Sequence, residues 1–279
     1  MKTSLTTATV AFALAAAAST AIAQWPSYPS TDGKRTPDGK IDLTAPAPRT
    51  ADGKPDFTGV WQLARGPGRG AAKGKEAPPP PPPTDGPPVA TFANVGAGFK
   101  DGLPLQPWAA ELLAKRKADK SKDNPDAHCL PMGFMQFHLH PQPRKILQTA
   151  KEIAIIYEAN HGLRQIYLDG RPLPANDPDP WWYGYSVGKW DGDTLVVETT
   201  GYRDDVWLDI WGTPMTSAAK TIERFRRPNF GTMQIDVTID DPKAYTKPFT
   251  VRVNHRLAPD SELIEFICQD RDAVHYVGK

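Results

Sequence analysis

Short runs of alternating apolar and polar residues fill the chain from Arg144 onward. In Leu195-Val196-Val197-Glu198-Thr199 the alternation puts Leu195, Val197 and Thr199 on one face and Val196 and Glu198 on the other, while Ile153-Ala154-Ile155-Ile156-Tyr157 is apolar throughout. A period of two marks an extended strand. Nine segments read this way, at 145–149, 152–157, 164–169, 183–190, 194–200, 221–227, 232–239, 249–257 and 262–268. Turn signals such as Asp169-Gly170, Asp191-Gly192-Asp193, Asp241-Pro242 and Pro259-Asp260 separate them, and such short links favour antiparallel hairpins over crossovers. The predicted fold is mainly β: an antiparallel meander closed into a lipocalin-like barrel or a strongly curled sheet, with a flatter sandwich as the alternative. A barrel mouth is a natural ligand cavity.

Upstream the pattern is different. Of 30 prolines, 17 lie between Gln24 and Pro107, among Asp-Gly-Lys turns at 32–34, 38–40 and 52–54, so this stretch cannot form a continuous core. It reads as an arm, 24–107, carrying one short strand at 57–63 that docks on the main domain and a polyproline spacer at 78–83. A glycine-rich loop at 66–75 lacks the G-x-x-x-x-G-K-[ST] spacing of a phosphate loop. Pro107 opens a single helix over 108–120, striped by Trp108, Leu112 and Leu113, and helix and barrel together make up a domain at 108–279.

The first 23 residues have the layout of a cleaved signal peptide. Lys2 precedes an uncharged Ala/Val/Leu-rich run over 5–18, and Ala21-Ile22-Ala23 supplies an A-x-A site before Gln24. The mature chain is therefore expected in the periplasm or secreted, with no transmembrane segment, since no second hydrophobic span follows. Removing the leader's one lysine leaves 32 basic and 32 acidic residues. A nucleic-acid partner is not expected, because the only basic stretch, 115–122, is interrupted by Asp119 on a solvated helix. The two cysteines, Cys129 and Cys268, would enter an oxidising compartment and pair, or remain buried thiols. Pairing would close a loop of roughly 140 residues, worth about 4–5 kcal/mol in chain entropy.

The run Gly184-Tyr185-Ser186-Val187-Gly188-Lys189-Trp190-Asp191-Gly192-Asp193-Thr194-Leu195-Val196-Val197-Glu198-Thr199, followed by Trp207-Leu208-Asp209 and Glu223-Arg224-Phe225-Arg226-Arg227, resembles a widespread family of exported, uncharacterised bacterial proteins. The resemblance extends over 52–61, Cys129-Leu130-Pro131 with Gly133, 161–171, 239–246 and Phe266-Ile267-Cys268. In that family histidines commonly occupy the positions held here by Tyr185, Thr213, Met215 and Lys220. The resemblance thus implies that a histidine cluster has been lost or replaced here, for instance with Tyr185 as the acid/base group.

Candidate chemistry centres on carboxylates and indoles. Glu198 is expected to face the barrel interior and serve as the acid/base group, with Tyr185 as its proton-donating partner and Arg164 as an anion clamp. Glu158 follows an apolar strand, and Glu223 points away from Arg224. A carboxylate in an apolar cavity has its pKa raised, which suits acid/base work near neutral pH; the structural alternative is a buried ion pair of Glu198 or Glu223 with Arg164 or Arg224. Five of eight tryptophans fall between Trp181 and Trp211. Trp207 and Trp211, with Asp209 in the same segment, are expected to form a stacking platform over the mouth. His138 and His140 would share one side of an extended segment and are weak metal candidates; His255 and His275 have no partner legible in sequence.

Rossmann, H-E-x-x-H and C-x-x-C-H motifs are missing, so no cofactor is expected; Gly184-Tyr185-Ser186-Val187-Gly188 has the G-x-S-x-G spacing but lies within a β-segment and not at a strand-to-helix elbow, so Ser186 reads as a sheet serine. The preferred reading is an exported barrel with a pocket for a small ring-containing ligand (aromatic, terpenoid or sugar-like), acting as a cofactor-free lyase, isomerase or hydratase. The alternatives are a non-catalytic carrier or sensor and a structural envelope protein that docks a partner through the proline-rich arm at 77–88.

Overall fold

The structure, a computed structural model, describes residues 33–64, 86–174, 179–204, 206–266 and 268. The expected leader, the loop at 66–75, the polyproline run, most of the 77–88 arm and His275 lie outside those residues.

Eleven strands are described: β1 (Gly59–Leu63), β2 (Arg144–Gln148), β3 (Glu152–Tyr157), β4 (Leu163–Tyr167), β5 (Tyr185–Asp191), β6 (Thr194–Thr200), β7 (Val206–Trp207), β8 (Pro214–Met215), β9 (Lys220–Asn229), β10 (Thr232–Asp240) and β11 (Phe249–Leu257). Nine of them close a barrel in the order β1-β11-β10-β9-β6-β5-β4-β3-β2, and β7 pairs with β8. The mainly β, closed-barrel expectation holds. Every neighbouring pair in the barrel is antiparallel except β4 with β5.

The strand in the arm does more than dock. β1 closes the barrel, pairing with β11 through Trp61↔Leu257 and with β2 through Trp61↔Arg144. It is only five residues long, so the remaining edge of β11 is covered by the end of the arm: the Arg252 N–H donates to the Pro88 carbonyl at 2.8 Å, and the Ala90 N–H to the Arg252 carbonyl at 3.0 Å. Closure explains why 261–266 form no strand, against expectation: β1 occupies both free edges, and a closed sheet offers no other. The tail instead straps across the barrel. Glu262 meets Lys145 at 2.8 Å, the Ile264 N–H donates to Glu158 Oε2 at 3.1 Å, and Cys268 forms a disulfide with Cys129, their Cα atoms 5.6 Å apart.

Alternation along the strands fills the lumen. β9, β10 and β11 turn Phe225, Ile235, Val237, Ile239, Val251 and Val253 inward, all fully buried or nearly so, at about 1.5–3 kcal/mol for each side chain removed from water. Two helices complete the picture. α1 (Pro107–Ala118) lies outside the barrel with Pro at its first turn and Lys115, Arg116 and Lys117 in its last, where they complement the dipole. Its stripe is weaker than expected, since Trp108 is 44% exposed and anchored mainly by Nε1–H donation to the Lys243 carbonyl.

α2 (Phe134–Leu139) is a short helix that the sequence pattern does not show; all six of its residues are buried. It plugs the lumen, with Phe137 stacked on Tyr157 at 4.2 Å and the His138 ring 6.0 Å from Phe225. Arg144 caps its C-terminal end, donating to the carbonyls of Phe137 (2.8 Å), His138 (2.9 Å) and His140 (2.6 Å), which satisfies acceptors that a helix end otherwise leaves unpaired. His138 and His140 are therefore not alternate residues of an extended segment: one is in the helix, and the other follows it.

Candidate functional site

The parallel seam between β4 and β5 is the weak point of the wall. It holds only two register pairs, Ile166↔Ser186 and Tyr167↔Val187, whereas β10 and β11 share eight. Before these pairs the strands part. A cleft of about 460 Å³ opens there, lined by Leu163, Arg164, Gln165, Tyr167 and residues 180–186. Gly184, in its lining, has no room for a side chain: its φ is +69°, and an added Cβ would lie 2.7 Å from the Tyr202 ring and 2.9 Å from the Thr200 carbonyl oxygen.

Aromatic rings form the cleft walls. On the outer side Arg171 stacks over Tyr167 at 3.8 Å and donates to the Tyr185 hydroxyl at 3.2 Å, while Tyr185 lies 5.3 Å from Tyr167 and 5.4 Å from Trp181. On the inner side stand Trp182, with Arg203 4.6 Å from its ring, and Tyr183, whose hydroxyl is pushed up to about 12 by burial.

Arg164 and Ser186 form the floor, 2% and 1% exposed. Arg164 forms a two-armed ion pair with Glu223, one arm at 3.0 Å, and donates to Ser186 Oγ at 3.1 Å and Thr199 Oγ1 at 3.2 Å. Burial alone would raise the Glu223 carboxyl; the Arg164 guanidinium and His138 outweigh it and hold the group down at about 2. His138 Nε2 stands 2.6 Å from Glu223 Oε1. An ionised carboxylate only accepts, so Nε2 carries the proton, and its 3.2 Å approach to Arg164 Nη1 is a contact between two donors. Burial pushes the His138 pKa below the ordinary value despite Glu223, leaving a neutral ring whose Nδ1 is a bare, buried acceptor with no partner among the described residues.

The sequence-predicted residues divide between this site and elsewhere. Arg164, Tyr185 and Glu223 converge on the cleft and its floor. Glu198 does not: it lies on the outer face, 41% exposed and paired with Lys189 at 3.1 Å. The carboxylate inside the barrel is Glu223. Trp207 is buried under Arg116 and walls a second cavity, of about 380 Å³, against α1; Trp211 is 39% exposed beneath Lys117. Neither reaches the cleft, so they form no platform over Arg164. Asp209 is a loop organiser, accepting from the N–H groups of Val95, Trp211, Gly212 and Thr213 and from the Thr213 hydroxyl. His138 is committed to Glu223, and His140 Nδ1 accepts from the Gln142 N–H at 3.2 Å. No group of three or more metal-ligating side chains occurs among the described residues.

The four positions at which the sequence resemblance led to an expectation of lost histidines are also dispersed. Tyr185 is in the cleft, Thr213 is bound to Asp209, Met215 is core in β8, and Lys220 borders a separate depression. Sequence reasoning missed Arg144, Tyr157 and His255, all buried in the lumen. The only signal for Arg144 was its place at the head of a strand, which does not distinguish a lumen cation from a surface one. Comparison with protein-family models, with curated proteins and with solved structures finds no match for this chain.

Proposed function

We propose that the cleft at the β4–β5 seam binds a small ring-containing ligand, and that the protein is an exported ligand-binding barrel. One observation carries this reading: five aromatic side chains, Tyr167, Trp181, Trp182, Tyr183 and Tyr185, surround an opening whose floor is a buried arginine and serine. Rings stack on rings, and one or two fixed polar groups set orientation. The disulfide and the leader-like N-terminus support an oxidising, extracytoplasmic setting.

The test is a thermal-shift screen of residues 24–279 against aromatic acids, terpenoids, steroids and sugars, followed by tryptophan-fluorescence titration of the hits. A ligand that binds only the folded state raises Tm by mass action. Hits should lose most of their affinity in Trp182→Ala and Tyr185→Ala. Binding that is indifferent to both substitutions would overturn the assignment to this cleft.

Acid/base catalysis such as elimination or isomerisation is the second reading, favoured by the neutral His138 ring, held by Glu223 at Nε2 with Nδ1 unshared. An enzyme of this kind would convert a hit, and His138→Gln would abolish turnover while leaving affinity in place.

A further inference from the structure

The lumen behind the cleft does not balance its charges. Arg164 is neutralised by Glu223. Arg144, 1% exposed, spends its Nη hydrogens on the carbonyls at the end of α2, and among the described residues it forms no ion pair; the nearby His255 Nε2 donates to the His138 carbonyl at 2.8 Å and offers it no acceptor. Glu158, the carboxylate next to the Tyr157 that Arg144 faces across the β2–β3 ladder, turns away to the Ile264 N–H. The other titratable groups facing this space carry no charge near neutral pH. Burial holds His138 and His255 below the ordinary imidazole value, and Tyr157 and Tyr202 above the ordinary phenol value.

Two guanidiniums thus stand against one carboxylate. The carbonyl dipoles of α2 offset the surplus only in part, because a helix end carries about half a unit charge. A second observation agrees. Among the described residues Arg144 Nε and Arg164 Nε, on the strands either side of the one that carries Tyr157, are buried donors without a partner, and buried donors in native proteins are normally satisfied. These groups adjoin one another: the Arg144 Cζ is 5.8 Å from the Tyr157 ring, and Tyr157 packs through Phe137 on Tyr183, which lines the cleft.

We propose that the ligand of the cleft is a ring-bearing carboxylate, its anionic group drawn to the surplus charge of Arg144 through the Arg164 floor. This deepens the ligand-binding reading and rests on it. The sequence marked Arg164 as the anion clamp, but Glu223 already claims that charge; the attraction comes from Arg144, two strands away, or ~10 Å at the spacing of neighbouring strands.

The experiment compares 2-naphthoate with 2-naphthamide by tryptophan fluorescence on the wild-type mature protein. A unit charge at that distance in a partly buried site predicts that the acid binds roughly tenfold tighter. Equal affinities would overturn the carboxylate assignment while leaving the ring-binding cleft standing. No binding of either would overturn the cleft, and the carboxylate assignment with it. Arg144→Gln should cut the affinity for naphthoate about tenfold; an unchanged affinity in a folded variant, checked by circular dichroism, would also overturn the proposal.

Discussion

The two walls of this barrel are built on opposite principles. The β9–β10–β11 wall is a ladder of long antiparallel pairings whose inner face is largely apolar but includes Glu223 and His255, with Ile235, Val237, Val251 and Val253 wholly buried. The β2–β3–β4–β5 wall ends in a two-pair parallel seam, and its inner face carries Arg144, Tyr157, Arg164 and Ser186. The first wall is held by burial, which is non-directional and tolerant of small changes. The second is held by a charge network that must be complete to be favourable. A cleft opens where the wall relies on the network.

The sharpest break in that contrast is Glu223→Gln. It leaves Arg164 buried with no countercharge, and removing one partner of a buried pair costs about 3–5 kcal/mol. The double variant Glu223→Leu with Arg164→Met should recover most of the loss, since apolar replacement of a whole pair is close to neutral. Among the apolar side chains Ile235→Ala should cost about 2–4 kcal/mol by cavity formation, with no partner substitution able to rescue it by charge. Urea unfolding of the three variants checks both. If the double variant is no more stable than Glu223→Gln, the network that joins the two walls is not governed by charge balance.

Acid should then separate the charge network from the apolar packing. Burial lowers the pKa of His138 and His255 and takes His140 down to about 4, whereas the unfolded chain titrates near 6.5. Below about 6.5 the unfolded state therefore binds more protons, so the stability these rings carry is complete above that value and drains away toward about pH 4. Glu223, held at about 2 against an ordinary 4.5, adds a second loss between those two values. Urea midpoints should fall as pH drops from 7.5 to 5, and a flat profile would remove the histidines from the account.

The same division decided what was legible in the sequence. Period-two alternation placed eight strands of the barrel domain to within a few residues, because most of them have one face more buried than the other. α2 escaped: its six apolar-rich residues between Pro131 and Pro141 are too few to show a helical period. The 262–268 run was taken for a strand since its composition suits one, and only closure by β1 denies it an edge. Glu223 and Arg164 were visible as one of several possible pairs, while Arg144 gave no sign of its burial. Which face of β6 looks inward was not legible either, and Glu198 fell on the wrong side. Val196 and Val197 are both buried, at 5% and 0% exposed, so apolar character marks both faces of that strand. The outer one is simply covered by other parts of the chain.

Glu198→Gln is accordingly the smallest effect expected and the cleanest control. Its partner Lys189 is 72% exposed and the carboxylate 41% exposed, so solvent screens the pair and its loss should cost no more than about 0.5 kcal/mol. The side chain lies outside the wall, with Val187 as its β5 partner and Ile222 as its β9 partner, and it has no part in the Arg164–Glu223–His138 network. Affinity for any cleft ligand should stay within about twofold of wild type, equivalent to roughly 0.4 kcal/mol. A large loss of binding or turnover in this variant would mean that the functional surface is the outer face of β6, and that the polar lumen is structural after all.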